Sequence, residues 1–281
     1  MEKEVQTIIG VDIGGTKMKA GKVVGAHVGE TAFAKVNGHD SQEKTLSTVF
    51  SVIDEIFCDA VEGIGIGVPA VVDPESGVVY DVQNIPAWKE VPLKKLIRQR
   101  YQVPVFINND ANCFALGERY FGKGKDHSNY VAISLGTGMG MGIVIAGKLY
   151  NGVLCGAGEV GMLPYKNSIM EHYTGSFFFE DAYGEPAKSL YKKALDKDIK
   201  AISAFKEYGV HLGEAIKAIL YLFAPESIIL GGSISNAYPF FKEPLYEALD
   251  SFAYPKQLEN FKIETSDLAD SPILGAAALC L

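Results

Sequence analysis

The 281-residue sequence predicts an α/β protein of two lobes, each built on a mixed sheet. Three observations carry this. A strand hairpin closed by a glycine-rich turn occurs near the start and again near the middle, a weak internal repeat. After each hairpin, segments of helical and strand periodicity alternate. With 48% hydrophobic residues, the chain can bury one large core or two. A cleft between two such lobes is a natural ligand site.

The elements follow in order. Thr7 to Val11 reads as a buried strand that stops at Asp12-Ile13-Gly14-Gly15-Thr16-Lys17, with Met18 to Val24 as its hairpin partner. From Ser41 to Ala60, Leu46, Val49, Phe50, Ile53, Ile56 and Phe57 fall at helical spacing, with Asp40 and Glu43 as a capping pair. Gly63 to Val68 is another strand, ended by Pro69. Pro92 to Tyr101 reads as a short helix and Val103 to Ile107 as a strand; Asn108-Asn109-Asp110 follow, then a helix from Ala111 to Phe121. The hairpin pattern returns with Tyr130 to Leu135, the turn Gly136-Thr137-Gly138-Met139-Gly140, and Met141 to Ala146. A long helix from Ala204 to Phe223 leads through Pro225 into the strand Ser227 to Leu230 and Gly231-Gly232-Ser233. Ser271-Pro272-Ile273-Leu274-Gly275 opens a closing helix of small residues. The expected division is a first lobe at 1–110, completed by the helix at 272–281, and a second at 111–271.

Composition narrows the partners. The net charge is -8 and no basic face stands out, so a footprint for nucleic acid is not expected. The lysine pairs Lys94/Lys95 and Lys192/Lys193 read as solvated helix faces. Cys58, Cys113, Cys155 and Cys280 are scattered, as in a reduced protein. Met1 to Gln6 is short and charged, and no apolar run reaches the roughly 18 residues a membrane span needs, so a cytoplasmic protein without membrane attachment is expected.

Glycine-rich turns let backbone N–H groups approach phosphate oxygens, and two facing turns could clamp a nucleotide. A dinucleotide fingerprint would run strand, glycines, helix, but strand follows Gly140. A P-loop places Ser or Thr directly after Gly-Lys, but Thr16 precedes Lys17. Asp12, at a strand end against the first turn, would repel phosphate unless a cation intervened, which suggests that it holds Mg²⁺ directly or through water. Lys17 either neutralises phosphate charge or is simply exposed.

Taken in order, Asp12-Ile13-Gly14-Gly15-Thr16-Lys17, Gly65-Ile66-Gly67-Val68-Pro69, Asn84-Ile85-Pro86-Ala87-Trp88, Asn109-Asp110-Ala111-Asn112, Leu135-Gly136-Thr137-Gly138 and Gly158-Glu159-Val160-Gly161 resemble the ROK family of repressors, open reading frames and sugar kinases. Gly231-Gly232-Ser233 and Leu274-Gly275-Ala276-Ala277 also fit, so the resemblance covers nearly the whole chain. It implies the actin-like or hexokinase-like ATPase fold, of ribonuclease H-like type, and transfer of the γ-phosphoryl group of ATP to a hexose with Mg²⁺. Asp110 then matches the catalytic base, with a helix N-cap as its alternative role. Pro69, Ala70, Asn84, Asn109, Asp110, Glu159 and Glu171 match sugar-contacting positions. Gly14, Gly15, Thr16, Lys17, Gly136, Thr137, Gly138, Gly231, Gly232 and Ser233 match nucleotide-binding ones. A homodimer is also implied. Trp88, the sole tryptophan, reads as core packing or as a brace for the Asn84 loop.

The sequence departs from the family pattern at one place. Met162 stands where the family has a zinc-binding His, and the cysteine segment is missing; Leu163 to Met170 forms a shortened loop before Glu171 and Thr174-Gly175. No zinc site is expected. His172, next to Glu171, reads as a surface or packing residue, with substitution for the missing His as the alternative, and Phe177-Phe178-Phe179 reads as a core anchor or subunit contact. Glucose leads the substrates, with N-acetylmannosamine, N-acetylglucosamine, fructose or a β-glucoside open. A sugar-responsive repressor would carry a DNA-binding segment ahead of Asp12, for which the sequence leaves no room. A pseudokinase has only the altered zinc region in its favour.

Overall fold

The computed structural model describes residues 6–82 and 84–281; the reading of Met1 to Val5 lies outside them. The first sheet opens as an antiparallel meander of β1 (Thr7–Ile13), β2 (Lys17–Val24) and β3 (His27–Lys35). The helix α1 (Gln42–Asp54) packs Val49, Val52 and Ile53 against it. β4 (Val61–Val68) then adds parallel to β1. A small antiparallel sheet of β5 (Val71–Asp73), β6 (Val78–Tyr80) and β7 (Glu90–Val91) follows, with α2 (Leu93–Tyr101). β8 (Val105–Asn109) completes the order β3-β2-β1-β4-β8, and α3 (Asp110–Phe121) leaves it directly.

The second sheet repeats this plan. β9 (Tyr130–Leu135), β10 (Met139–Ile145) and β11 (Lys148–Leu149) form the meander. A short hairpin, β12 (Pro164–Tyr165) with β13 (Ser168–Ile169), precedes the helices α4 (Glu171–Thr174), α5 (Phe177–Tyr183), α6 (Ala187–Leu195) and α7 (Ile199–Phe223). β14 (Ser227–Gly231) lies parallel to β9; α8 (Tyr238–Leu249), β15 (Lys262–Thr265) and α9 (Ser271–Ala277) close the chain. The order β11-β10-β9-β14-β15 has the topology of the first sheet, and each sheet has its own apolar core. No described helix is long and apolar enough to cross a membrane.

The helices that leave the two sheets are exchanged. α3 leaves the first sheet and packs on the second, where a Cβ on Gly142 would lie 2.5 Å from the Ala111 carbonyl oxygen. α9 leaves the second and packs on the first, where a Cβ on Gly65 would lie 1.8 Å from the Ala276 oxygen. The two helices cross in contact: a Cβ on Gly275 would meet the Cys113 oxygen at 2.4 Å. Such backbone-to-backbone approach needs glycine.

Several sequence expectations are corrected locally. The α1 cap is Ser41, whose side chain accepts from the Lys44 N–H at 3.3 Å, not the Asp40/Glu43 pair. Asn108 and Asn109 belong to β8, because β4 offers them a pairing partner. Met139 and Gly140 belong to β10, so the second turn is shorter than its glycines suggested. α7 starts earlier than Ala204, at Ile199, capped by Asp198. Phe178 and Phe179 enter the core while Phe177 is 40% exposed. Trp88 is fully buried, as core packing requires, and its backbone makes two hydrogen bonds, with Val82 and Ile85, beside Asn84.

Candidate active site

The carboxyl ends of β1, β4 and β8 lie side by side, because these strands are parallel neighbours. Register does the gathering: Asp12 pairs with Gly67, and Val68 pairs with Asn109. Asp12, Pro69, Ala70, Asn109 and Asp110 therefore meet at one sheet edge, the usual ligand edge of parallel strands. Asn109 is the α3 N-cap; its Oδ1 accepts from Ala111 N at 2.9 Å and its amide donates to the Ala70 oxygen at 3.4 Å. Asp110 is thus the first helical residue, not the cap. Its Oδ1 accepts from the Ala111 N–H at 2.9 Å.

The electrostatics mark a cleft floor. Burial pushes the Asp12 carboxyl up to about 6; the Asp110 carboxylate adds to the rise, and Lys17 and Lys19 oppose it. Burial also raises Asp110, against the backbone N–H that favours its ionised form. Yet Asp110 keeps solvent-exposed surface. It is walled by protein and open to water on one side. Glu159 is raised as well, by burial first, then by Glu171 and Asp110. Asp110 thus lies within electrostatic reach of both Asp12 and Glu159, and Glu159 of Glu171.

The second sheet supplies the opposite wall. Leu135 and Gly231 end the parallel pair β9 and β14, which places the Gly136-Thr137-Gly138 turn beside Gly232 and Ser233. A Cβ on Gly232 (φ +81°) would sit 2.3 Å from the Leu135 oxygen. Glu171 reaches this turn, accepting from the Met139 N–H at 3.0 Å, and a Cβ on Gly138 would lie 2.0 Å from its carboxylate. Asn84 (φ 64°) sits instead beside the first turn, its Cβ 2.3 Å from where a Gly15 side chain would begin. Gly14 donates to the Lys17 oxygen at 2.9 Å to close that turn, and Thr16 and Lys17 are exposed.

Some participants are not evident from the sequence. Asn108, 4% exposed, accepts from the Asn112 side chain at 3.0 Å and from its neighbour's N–H, and donates to Asn151 at 3.0 Å. This buried network fixes the strand end that carries Asp110; the Asn108-Asn109 doublet was its only trace in sequence. Lys19 stands opposite Asp12 in the hairpin register and forms an ion pair with Asp270 before α9. Only hairpin register reveals it.

The residues suit a phosphate-bound cation better than a protein-only metal cage. Two neighbouring carboxylates, one raised to about 6, leave negative charge that a divalent ion would neutralise. Among the described residues no group of three or more His, Cys, Asp or Glu is placed to hold a metal. Mg²⁺ needs no such group when phosphates complete its shell. Met162 is 56% exposed, and exposed His172 is hydrogen-bonded to Ser168 at 2.8 Å.

Two lobes with duplicated sheets, closing on a cleft lined by carboxylates and glycine turns, define the actin-like and hexokinase-like fold class. Within it, the chain belongs to the ROK family, whose model matches residues 8–281. It is similar to the glucokinase of Thermotoga maritima, 32% identical over 97% of this chain and 96% of the relative. It is also similar to the xylose repressor of Caldicellulosiruptor bescii, 29% identical over 100% of this chain and 79% of the repressor. A ROK family glucokinase from Streptomyces griseus, solved with glucose and AMPPNP, matches with a TM-score of 0.81 and 26% identity, over 97% of this chain and 98% of that one.

Proposed function

We propose that this protein transfers the γ-phosphoryl group of ATP to a hydroxyl of a hexose, with glucose the leading substrate. The observation that supports this most is the convergence of Asp110 and Asp12 on a cleft bordered by both glycine turns. In this reading Asp110 accepts the proton of the sugar hydroxyl as that oxygen attacks the γ-phosphorus and ADP leaves. Its raised affinity for a proton suits the role. Pro69, Ala70, Asn84, Asn109, Glu159 and Glu171 bind and orient the sugar, so the hydroxyl is held for in-line attack. Backbone N–H groups of Gly14, Gly15, Thr16, Gly136, Thr137 and Gly138, with Lys17, hold phosphates, and Gly231, Gly232 and Ser233 border the nucleotide. Bound with ATP, Mg²⁺ supplies charge neutralisation on the phosphate oxygens, and Asp12 would hold it.

The Thermotoga glucokinase and the Streptomyces glucokinase with its glucose and AMPPNP favour this reading. The repressor relative favours a second one, a sugar-binding regulator without turnover. N-acetylmannosamine, N-acetylglucosamine, fructose and β-glucosides are alternative substrates. ADP release across that panel separates these. Turnover is expected on at least one sugar, and Asp110→Asn should lower kcat by about 10²- to 10⁴-fold. Wild-type-like turnover in the variant would remove Asp110 from its role; sugar binding with no turnover in the wild type would favour the regulator. A homodimer belongs to the same proposal, and light scattering at the 30.4 kDa of one chain would exclude it.

A further inference from the structure

The loop that replaces the family's zinc segment is anchored by aromatic residues and a histidine. Tyr165, on β12, has its hydroxyl 3.0 Å from Nδ1 of His211, on α7. His211 is 2% exposed. Around its ring stand Tyr173 and Phe178, edge to face, with centroids at 5.1 and 5.3 Å. Tyr165 and Tyr173 are themselves edge to face at 5.1 Å, and the Lys166 ammonium lies 5.2 Å from the Tyr173 ring. Close to His211 on the same helix, Tyr208 donates its hydroxyl to the Thr174 oxygen at 2.7 Å. From this anchored segment, Glu171 takes the Met139 N–H, and Ser176 donates to the Gly136 oxygen at 2.9 Å.

A directional device is indicated, because apolar packing alone would not require the histidine. Nε2 of His211 is buried and makes no hydrogen bond; the carboxylate of Glu207, one turn earlier on α7, stands 3.8 Å from it, too far to satisfy the nitrogen. The Tyr165–His211 bond sets the register of the β12–β13 hairpin on α7 in a way that interchangeable apolar contacts would not. Burial, and then Lys166, hold the imidazole below its ordinary value, against the pull of Glu207 and Glu214, which favours the neutral ring with one nitrogen free to accept.

We infer that Tyr165 and His211 are positioning residues: a metal-free clasp on α7 that holds Glu171 against the Gly136–Gly138 turn. The inference rests on the proposed sugar-binding role of Glu171.

The conservative variant Tyr165→Phe keeps the ring and removes the hydroxyl. Losing the hydrogen bond should raise the sugar KM about tenfold with a smaller change in kcat. Added to Glu171→Gln, it should cost nothing further, because both act through one carboxylate. Independent, multiplying losses would overturn the clasp. Residue-resolved amide exchange provides a readout without turnover. Met139 and Ser176 should exchange about tenfold faster in Tyr165→Phe, with the β1 amides unchanged. Unchanged exchange at both positions, or acceleration everywhere, would overturn the clasp even if no sugar were phosphorylated. Lack of turnover with the expected exchange pattern would sink only the kinase proposal. His211→Gln, which can still accept from Tyr165, should keep the wild-type pattern, whereas His211→Leu should not.

Discussion

Asp12 opposes stability at neutral pH, a cost that its proposed role at the cation would explain. Its carboxyl titrates at about 6 when folded, above the ordinary 3.8. The folded state therefore holds the proton more tightly than the unfolded state between those values. Stability from this group falls as pH rises from about 4 to 6 and stays low above. Asp12→Asn should then raise stability at pH 8 by on the order of 1–2 kcal/mol, allowing for solvent around the group, and change it little at pH 4. Urea unfolding at the two pH values tests this. Activity should move the other way. In the proposed role Asp12 meets the cation in its ionised form, so kcat/KM should climb through pH 6, and the stabler variant should be the poorer enzyme. Equal stability gains at pH 4 and 8 would mean that the charge is not the cause.

Elements are joined by the α3–α9 crossing, where the helix from each sheet rests on the other. We propose that the lobes divide at Asp110, with 272–281 returning to the first lobe; α9 seated on Gly65 supports this. A methyl group at position 275 would fall 2.4 Å from the Cys113 carbonyl, a backbone atom that cannot rotate away. Gly275→Ala should cost about 1–3 kcal/mol by overpacking. It should also lower kcat, since α3 begins with Asp110. Chemical denaturation and steady-state rates measured on the same variant check both effects. Unaltered stability would show that the helices separate freely.

At the scale of the molecule, Asp110 at the first sheet's edge keeps exposed surface, and the proposed phosphoryl transfer needs water excluded there. The lobes are therefore expected to close. Small-angle scattering should show a smaller radius of gyration with AMPPNP and a substrate sugar together than with neither. No change at saturation would dismiss closure. Metal requirements should separate along the same lines. EDTA should abolish turnover, and Mg²⁺ restore it, without a shift in Tm, because no protein-only cluster is found among the described residues. Zinc in purified protein should be well below one equivalent per chain; a full equivalent would mean that the segment after Met162 has been misread.

What the sequence determined by itself was what local chemistry encodes. Short apolar runs declared β1, β4 and β9, alternation declared β2, and clustered glycines declared the two turns, because side-chain pattern and backbone freedom act over a few residues. Resemblance along the chain named Asp110 and its companions. Tertiary structure decided what depends on distant partners. Asn108 became strand because β4 lay alongside it. Gly140 left the turn because its lack of a side chain serves packing, with Ala111 Cβ 3.0 Å from where its Cβ would stand. Lys19 joined Asp12 through hairpin register, and His211 met Tyr165 across 46 residues. Such contacts arise only when chain segments far apart in sequence are packed together, and no local pattern records which ones will meet.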